Sequence, residues 1–335
     1  MDFEVFRNVH IKYIEKNIEE VIDENKLTNS QDYLVDELKL FCLRSGKRIR
    51  PLLFLLGAES FGAKIDERIY KVSAVIEVMH SFLLIHDDIM DQSDKRRGLP
   101  SMHSLLYEKF KDLNFNPRIG ENLALVLGDV LFFIALRALS KLELPNGFLK
   151  DFSECYINTG YGQILDVIYS MNKKYKEIFE EKKISLEISK LKTAYYTFFY
   201  PFYLGALFGK RNVPRRDLEG VLIPAGIAFQ IRDDILSTFD ENSGKSNLSD
   251  ILEGKVTALI DFGKYDDNFF EMYFKPRKTD KEIGFIIDAI RKSGAVESAK
   301  IVMNELFELS LKNLEKIDIK NKEVLMDLIL RLRRD

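Results

Sequence analysis

The chain is poor in cysteine, proline and histidine. Its 335 residues include two cysteines, eight prolines and four histidines. Cys42 and Cys155 are too few for a disulfide framework and lack metal-ligand spacing, so they read as packing residues in a reducing compartment. No run shows sustained apolar–polar alternation, so no strand is signalled. No P-loop, Rossmann fingerprint, G-x-S-x-G or H-E-x-x-H motif is present. A net charge of −3 gives no pull toward nucleic acid. The longest apolar stretches run 123–136, broken by Asp129, and 194–208, broken by Thr197 and Pro201. Both fall short of the roughly 20 residues a membrane span needs, so none is expected. Met1-Asp2-Phe3-Glu4 lacks the basic and apolar regions of a leader, and a cytoplasmic location is the expectation.

What is present is a large apolar fraction, 46%, with 31% charged residues, the composition of a folded domain with a real core. Val9, Tyr13, Ile14, Ile18, Val21 and Ile22 follow helical spacing within 5–24. Similar spacing predicts helices over 31–44, 49–60, 66–92, 119–140, 147–171, 177–208, 215–238, 279–292, 296–314 and 320–333. Breakers such as Gly98-Leu99-Pro100, Asn116-Pro117, Pro145-Asn146-Gly147 and Val213-Pro214 mark the joints. No repeat, low-complexity tract or long linker divides the chain. The helices over 66–92, 119–140, 177–208 and 215–238 are apolar on more than one face. They predict the buried centre of an all-α bundle, one domain over 1–335.

One stretch organises the rest: His80-Ser81-Phe82-Leu83-Leu84-Ile85-His86-Asp87-Asp88-Ile89-Met90-Asp91. On a helix, Asp87 and Asp91 share a face, and Asp88 turns away. Phe82 and Leu83 lie roughly 6–8 Å deeper along the rod. The helix thus offers paired carboxylates at its mouth and an apolar floor below. A second apolar helix closes in Gln230-Ile231-Arg232-Asp233-Asp234, with Gln230 and Asp233 on one face. Carboxylates at the ends of buried helices call for a hard cation, and a carboxylate-and-water ligand set suits Mg²⁺. Cationic residues accompany them: Lys47, Arg48 and Arg50 at a helix N-terminus, Arg96 and Arg97 after Asp91, then Lys192, Lys245 and Lys255. Singly, each acid or base is a solvated helix end; two acidic helix ends with these bases point to a bound anion and its metal. Glu77 and His80 have the Glu-x-x-His spacing of di-iron bundles, but no second such pair exists, and that reading fails.

These motifs resemble the trans-isoprenyl diphosphate synthases, or polyprenyl synthetases. The resemblance runs from Gly46 to about Lys255 and continues more weakly to the C-terminus. Gly46-Lys47-Arg48-Ile49-Arg50 looks like the family's G-K-R-x-R. Asp87 to Asp91 looks like its first Asp-rich motif, Lys192-Thr193 its K-T pair, and Phe229 to Asp234 its second Asp-rich motif. The resemblance implies an all-α bundle of about 10 to 13 helices around a deep central cavity. It also implies a homodimer and a 1'-4 prenyl transfer from an allylic diphosphate to isopentenyl diphosphate. By that resemblance Asp87, Asp91 and Asp233 ligate three Mg²⁺, for which Mn²⁺ substitutes, with Asp88 and Asp234 nearby. Arg96, Lys192, Gln230, Lys245 and Lys255 contact the allylic diphosphate, and Thr193 steadies the cation. Lys47, Arg50, His80 and Arg97 form the isopentenyl diphosphate site.

One departure stands out: Ser237 occupies the position of the third Asp of the second motif, which puts affinity for the third metal in question. Phe82, five residues before Asp87, with Leu83, resembles the chain stop of short-chain enzymes. It implies geranylgeranyl diphosphate as product, with farnesyl diphosphate as the alternative. A class I terpene cyclase lacks use for the isopentenyl diphosphate cations, and a regulatory subunit of a heteromeric synthase has no reason to keep the charged positions intact.

Overall fold

The computed structural model describes residues 2–25, 32–113, 115–170, 183–239 and 248–334. They are helical apart from loops and one short hairpin, so the all-α expectation holds. The chain packs as two compact units: Phe3–Asn146 with Leu204–Arg211, and Gly147–Tyr203 with Asn212–Asp335.

The first unit contains α1 (Phe3–Asp23), α2 (Asp32–Leu43), α3 (Ile49–Ser60) and α4 (Glu67–Met90). A hairpin of β1 (Lys95–Arg96) and β2 (Leu99–Pro100) follows, then α5 (Met102–Phe110) and α6 (Ile119–Ser140). Helix α4 is the axis, packed by α1, α3 and α6. Asp66 starts it, accepting a hydrogen bond from the Ile69 amide at 2.9 Å. Val72, Ala74, Val75, Ile76, Val78 and Met79 are buried, so the helix is apolar all round, as expected of a core helix. By length and composition, α4 and α6 could each cross a membrane. A core helix meets the same criterion, and α4 spends its apolar surface on the core. Helix α6 instead leaves Leu125, Val126, Val130 and Phe133 exposed. The hairpin was not expected. Its strands are too short for alternation to register, and the turn places Arg97 (φ 56°) and Gly98 (φ 77°) in left-handed conformations, as a tight hairpin turn requires.

The second unit contains α7 (Phe148–Tyr169), α8 (Ile184–Ile188), a π-helical stretch Ser189–Phe199 and α9 (Tyr200–Ala206), which runs on into the first unit. It continues with α10 (Arg215–Phe239), α11 (Ser249–Glu253), α12 (Ala258–Phe262), α13 (Asp267–Tyr273), α14 (Asp280–Lys292), α15 (Ala295–Glu315) and α16 (Lys322–Arg334). Helices α5, α11, α12 and α13 were not expected; they are short, and tertiary packing decides such elements. Helix α10 is the axis here, between the π-helical stretch and α15. Pro224 lies inside it and lacks the N–H that would bond the Gly220 carbonyl. Asn313 Nδ2 of α15 bonds that carbonyl at 2.9 Å, and Ser310 Oγ bonds the next, Val221, at 2.7 Å. The break is thus repaired from a neighbouring helix, and α10 runs on to its acidic end.

Candidate active site

In the first unit, α4 delivers the acidic mouth. The Asp91 amide donates to the Asp87 carbonyl at 2.8 Å, one helical turn, so the two carboxylates share a face. Asp88 points inward and is fully buried. Arg96 Nε donates to Asp88 Oδ1 at 2.7 Å, with Nη2 closing on the same carboxylate and reaching Asp87 Oδ2 at 3.3 Å. Burial raises the Asp88 pKa, and Arg96 opposes that shift. Among the described residues, Asp88 Oδ2 has no hydrogen-bond partner. Arg96, expected at the allylic diphosphate, is the partner of Asp88 in this structure.

The hairpin and the α2–α3 segment bring further cations to this unit. Lys47 is exposed, and Arg50 Nη1 donates to His80 Nε2 at 3.3 Å. An arginine only donates, so His80 accepts at Nε2 and carries its proton on Nδ1. Burial, reinforced by Arg50 and Arg97, holds the His80 imidazole well below its usual pKa, so it is neutral at pH 7. Arg97 is exposed, and its Nη1 donates to the Arg44 carbonyl at 3.1 Å. Phe82 is half-buried, with ring centroids 4.8 Å from His86 and 5.4 Å from Phe132 of α6. Leu83 is half-buried beside it in sequence. The second ring, Phe132, was missed in the sequence.

In the second unit, Lys192 and Thr193 lie on the π-helical stretch. Such windings recur at functional sites. Gly226 of α10 makes room for it: a Cβ there would come within 2.5 Å of the Ala194 Cα. Lys192 Nζ donates to Asp166 Oδ2 at 2.7 Å. Asp166, buried on α7, was also missed; its only signal was a carboxylate on an apolar helix. Thr193 Oγ1 donates to Gln230 Oε1 at 2.6 Å, and Gln230 Nε2 donates to Asp234 Oδ1 at 2.9 Å. Thr193 spends its proton on Gln230, so its oxygen lone pairs are left for an electron-poor ligand. Asp234 also accepts from the Ala258 amide at 2.8 Å. Burial, then Asp250, pushes Asp234 up to about 8. Asp233 is half-buried beside it. Ser237 Oγ donates to Asp250 Oδ2 at 2.8 Å, so its hydroxyl holds one oxygen of that carboxylate. Lys255 Nζ pairs with Glu253 Oε2 at 2.8 Å. Lys245 lies outside the described residues.

Among the described residues, no three His, Cys, Asp or Glu groups form a closed metal cage. The Asp87–Asp91 face instead presents two oxygen donors one turn apart. That donor set fits Mg²⁺, which is held by one or two carboxylates and completes its shell with water and substrate phosphate.

The family model described as Polyprenyl synthetase matches residues 31–283. The chain is 30% identical over 312 residues to a geranylgeranyl pyrophosphate synthase of Geoglobus acetivorans, covering 92% of this chain and 91% of that one. It is 28% identical over 296 residues to a geranylfarnesyl diphosphate synthase of Aeropyrum pernix, covering 84% and 87%. Its fold matches the crystal structure of a geranylgeranyl pyrophosphate synthase from Corynebacterium glutamicum complexed with isoprenyl diphosphate and magnesium. There the TM-score is 0.82 and the identity 27%, over 100% of this chain and 99% of that one. Fold and relatives together define an enzyme, an all-α prenyltransferase. The chain belongs to the polyprenyl synthetase family.

Proposed function

We propose that the chain condenses isopentenyl diphosphate with an allylic diphosphate, 1'-4, in a Mg²⁺-dependent reaction whose main product is geranylgeranyl diphosphate. The observation that carries this reading is the Asp87–Asp91 face at the end of α4, five residues beyond Phe82 on the same helix and beside Arg96, in a chain of this family. Bound Mg²⁺ would neutralise the leaving diphosphate and so lower the barrier to C1–O cleavage. Asp87 and Asp91 in the first unit, and Asp233 in the second, are the residues that would ligate Mg²⁺. Lys192, Lys255 and Gln230 bind the allylic diphosphate, Asp166 holding Lys192 in place. Thr193, its proton committed to Gln230, turns lone pairs toward the allylic cation. Lys47, Arg50, His80 and Arg97 bind isopentenyl diphosphate, and neutral His80 adds no further positive charge there. Phe82 and Leu83 end elongation, and the apolar flank of α4 keeps water from the cation. The exposed apolar stripe of α6 supports a homodimer, and the family relationship supports a cytoplasmic enzyme.

The test is incubation of the purified chain with Mg²⁺, labelled isopentenyl diphosphate and dimethylallyl, geranyl or farnesyl diphosphate. A C20 diphosphate as main product is expected. A hydrocarbon would make the chain a cyclase, and no product from any primer would make it a non-catalytic subunit.

A further inference from the structure

The segment Gly46-Lys47-Arg48-Ile49-Arg50 contains a residue that none of the roles above absorbs. Arg48 sits between Lys47 and Arg50, at the start of α3, with a left-handed backbone (φ 52°, ψ 36°). That conformation disfavours an L-residue with a side chain. Its side chain has 0% exposure, while its partner Glu77, on α4, has 3%. Arg48 Nη1 donates to Glu77 Oε1 at 2.6 Å, and Nη2 donates to the Arg44 carbonyl at 2.9 Å. That same carbonyl accepts from Arg97 Nη1 at 3.1 Å. The Arg97 guanidinium lies against Gly46, where a Cβ would come within 2.8 Å of it. Glu77 precedes His80 by one turn of α4, and His80 accepts from Arg50.

One buried ion pair therefore ties the α2–α3 segment to α4, and one carbonyl ties that segment to the hairpin. A buried pair is a poor source of stability, because desolvation offsets the attraction. Its geometry is specific, however, since a planar guanidinium with two acceptors admits one placement. We propose that the buried Arg48–Glu77 pair is a positioning device. It turns Arg48 inward through the left-handed kink, sets the segment's register on α4, and so places Lys47, Arg50 and Arg97 around one diphosphate. Neither Arg48 nor Glu77 touches substrate. The inference rests on reading Lys47, Arg50, His80 and Arg97 as the isopentenyl diphosphate site.

The test is the double variant Arg48→Met/Glu77→Leu, which replaces the pair by apolar groups and leaves no buried charge orphaned, since Glu15, 3.9 Å from Arg48 Nε, has a side chain 42% exposed. Calorimetric titration with isopentenyl diphosphate alone reads binding without turnover. Affinity is expected to fall at least about tenfold, as misplaced binding groups do. KM for the allylic substrate and the helical circular dichroism should stay at wild-type values. Glu77→Gln, which keeps the shape and one hydrogen bond, should give a smaller loss on the same substrate. Arg48→Lys, keeping the charge, should recover part of the affinity. Wild-type affinity in the folded double variant, or equal losses for both substrates, would overturn the positioning role. Lys47→Ala and Arg50→Ala serve as the separate control. If they leave isopentenyl diphosphate binding intact, the site reading itself fails, whatever the double variant does.

Discussion

Arg96 is the residue for which sequence resemblance and structure give different emphasis, and Arg96→Met separates the two. In the structure its Nε lies 2.7 Å from Asp88 Oδ1, and Asp88 is fully buried. Removing one partner of a buried pair costs about 3–5 kcal/mol, because the remaining group stays buried without the partner that offset its desolvation. At about 2.1 cal/mol/K per residue, unfolding 335 residues carries an entropy near 0.7 kcal/mol/K. A loss of about 4 kcal/mol then lowers Tm by roughly 6 °C. Thermal unfolding followed by circular dichroism reads this directly. The double variant Arg96→Met/Asp88→Leu removes both charges and should recover most of the stability while turnover stays low. If Arg96→Met instead melts within a degree of wild type and changes only KM for the allylic substrate, Arg96 is a substrate ligand and its bond to Asp88 is incidental.

Two further predictions follow from other parts of the first unit. Phe82→Ala should lengthen the product only partly, since Phe132 faces the same ring. Phe82→Ala/Phe132→Ala should lengthen it further, and an unchanged chromatographic profile for the double variant would remove both rings from chain-length control. His10 is held down to about 4 by burial, with Tyr70 Oη at 2.8 Å and Glu59 at 3.7 Å. Its folded pKa lies below the unfolded value of 6.5, so the unfolded chain takes up the proton first. The stability from neutral His10 is complete above pH 6.5 and is lost as pH falls toward 4. It amounts to roughly 3 kcal/mol at 1.36 kcal/mol per pH unit. Urea titrations at pH 7 and pH 4 should show a smaller difference for His10→Gln than for wild type. Equal differences would assign the acid sensitivity elsewhere.

The long helices, their apolar faces and the acidic ends of α4 and α10 are all legible in the chain alone. Each depends on spacing of three or four residues, and such spacing is local. Asp87 and Asp91 share a face for that reason, and so do the apolar positions that make α4 a core helix. The hairpin was not legible, because two-residue strands carry no period. The partners were not legible either. Asp88 meets Arg96 only through a tight turn, and Lys192 meets Asp166 from 26 residues away. Phe82 meets Phe132 across two helices, and Asn313 bonds a carbonyl freed by Pro224 from 93 residues away. Sequence by itself determined which residue types stand at the mouths of the two axial helices. Tertiary structure alone decided which of them are paired, because burial removes water and obliges each charge or bare carbonyl to find a partner wherever the fold has brought one.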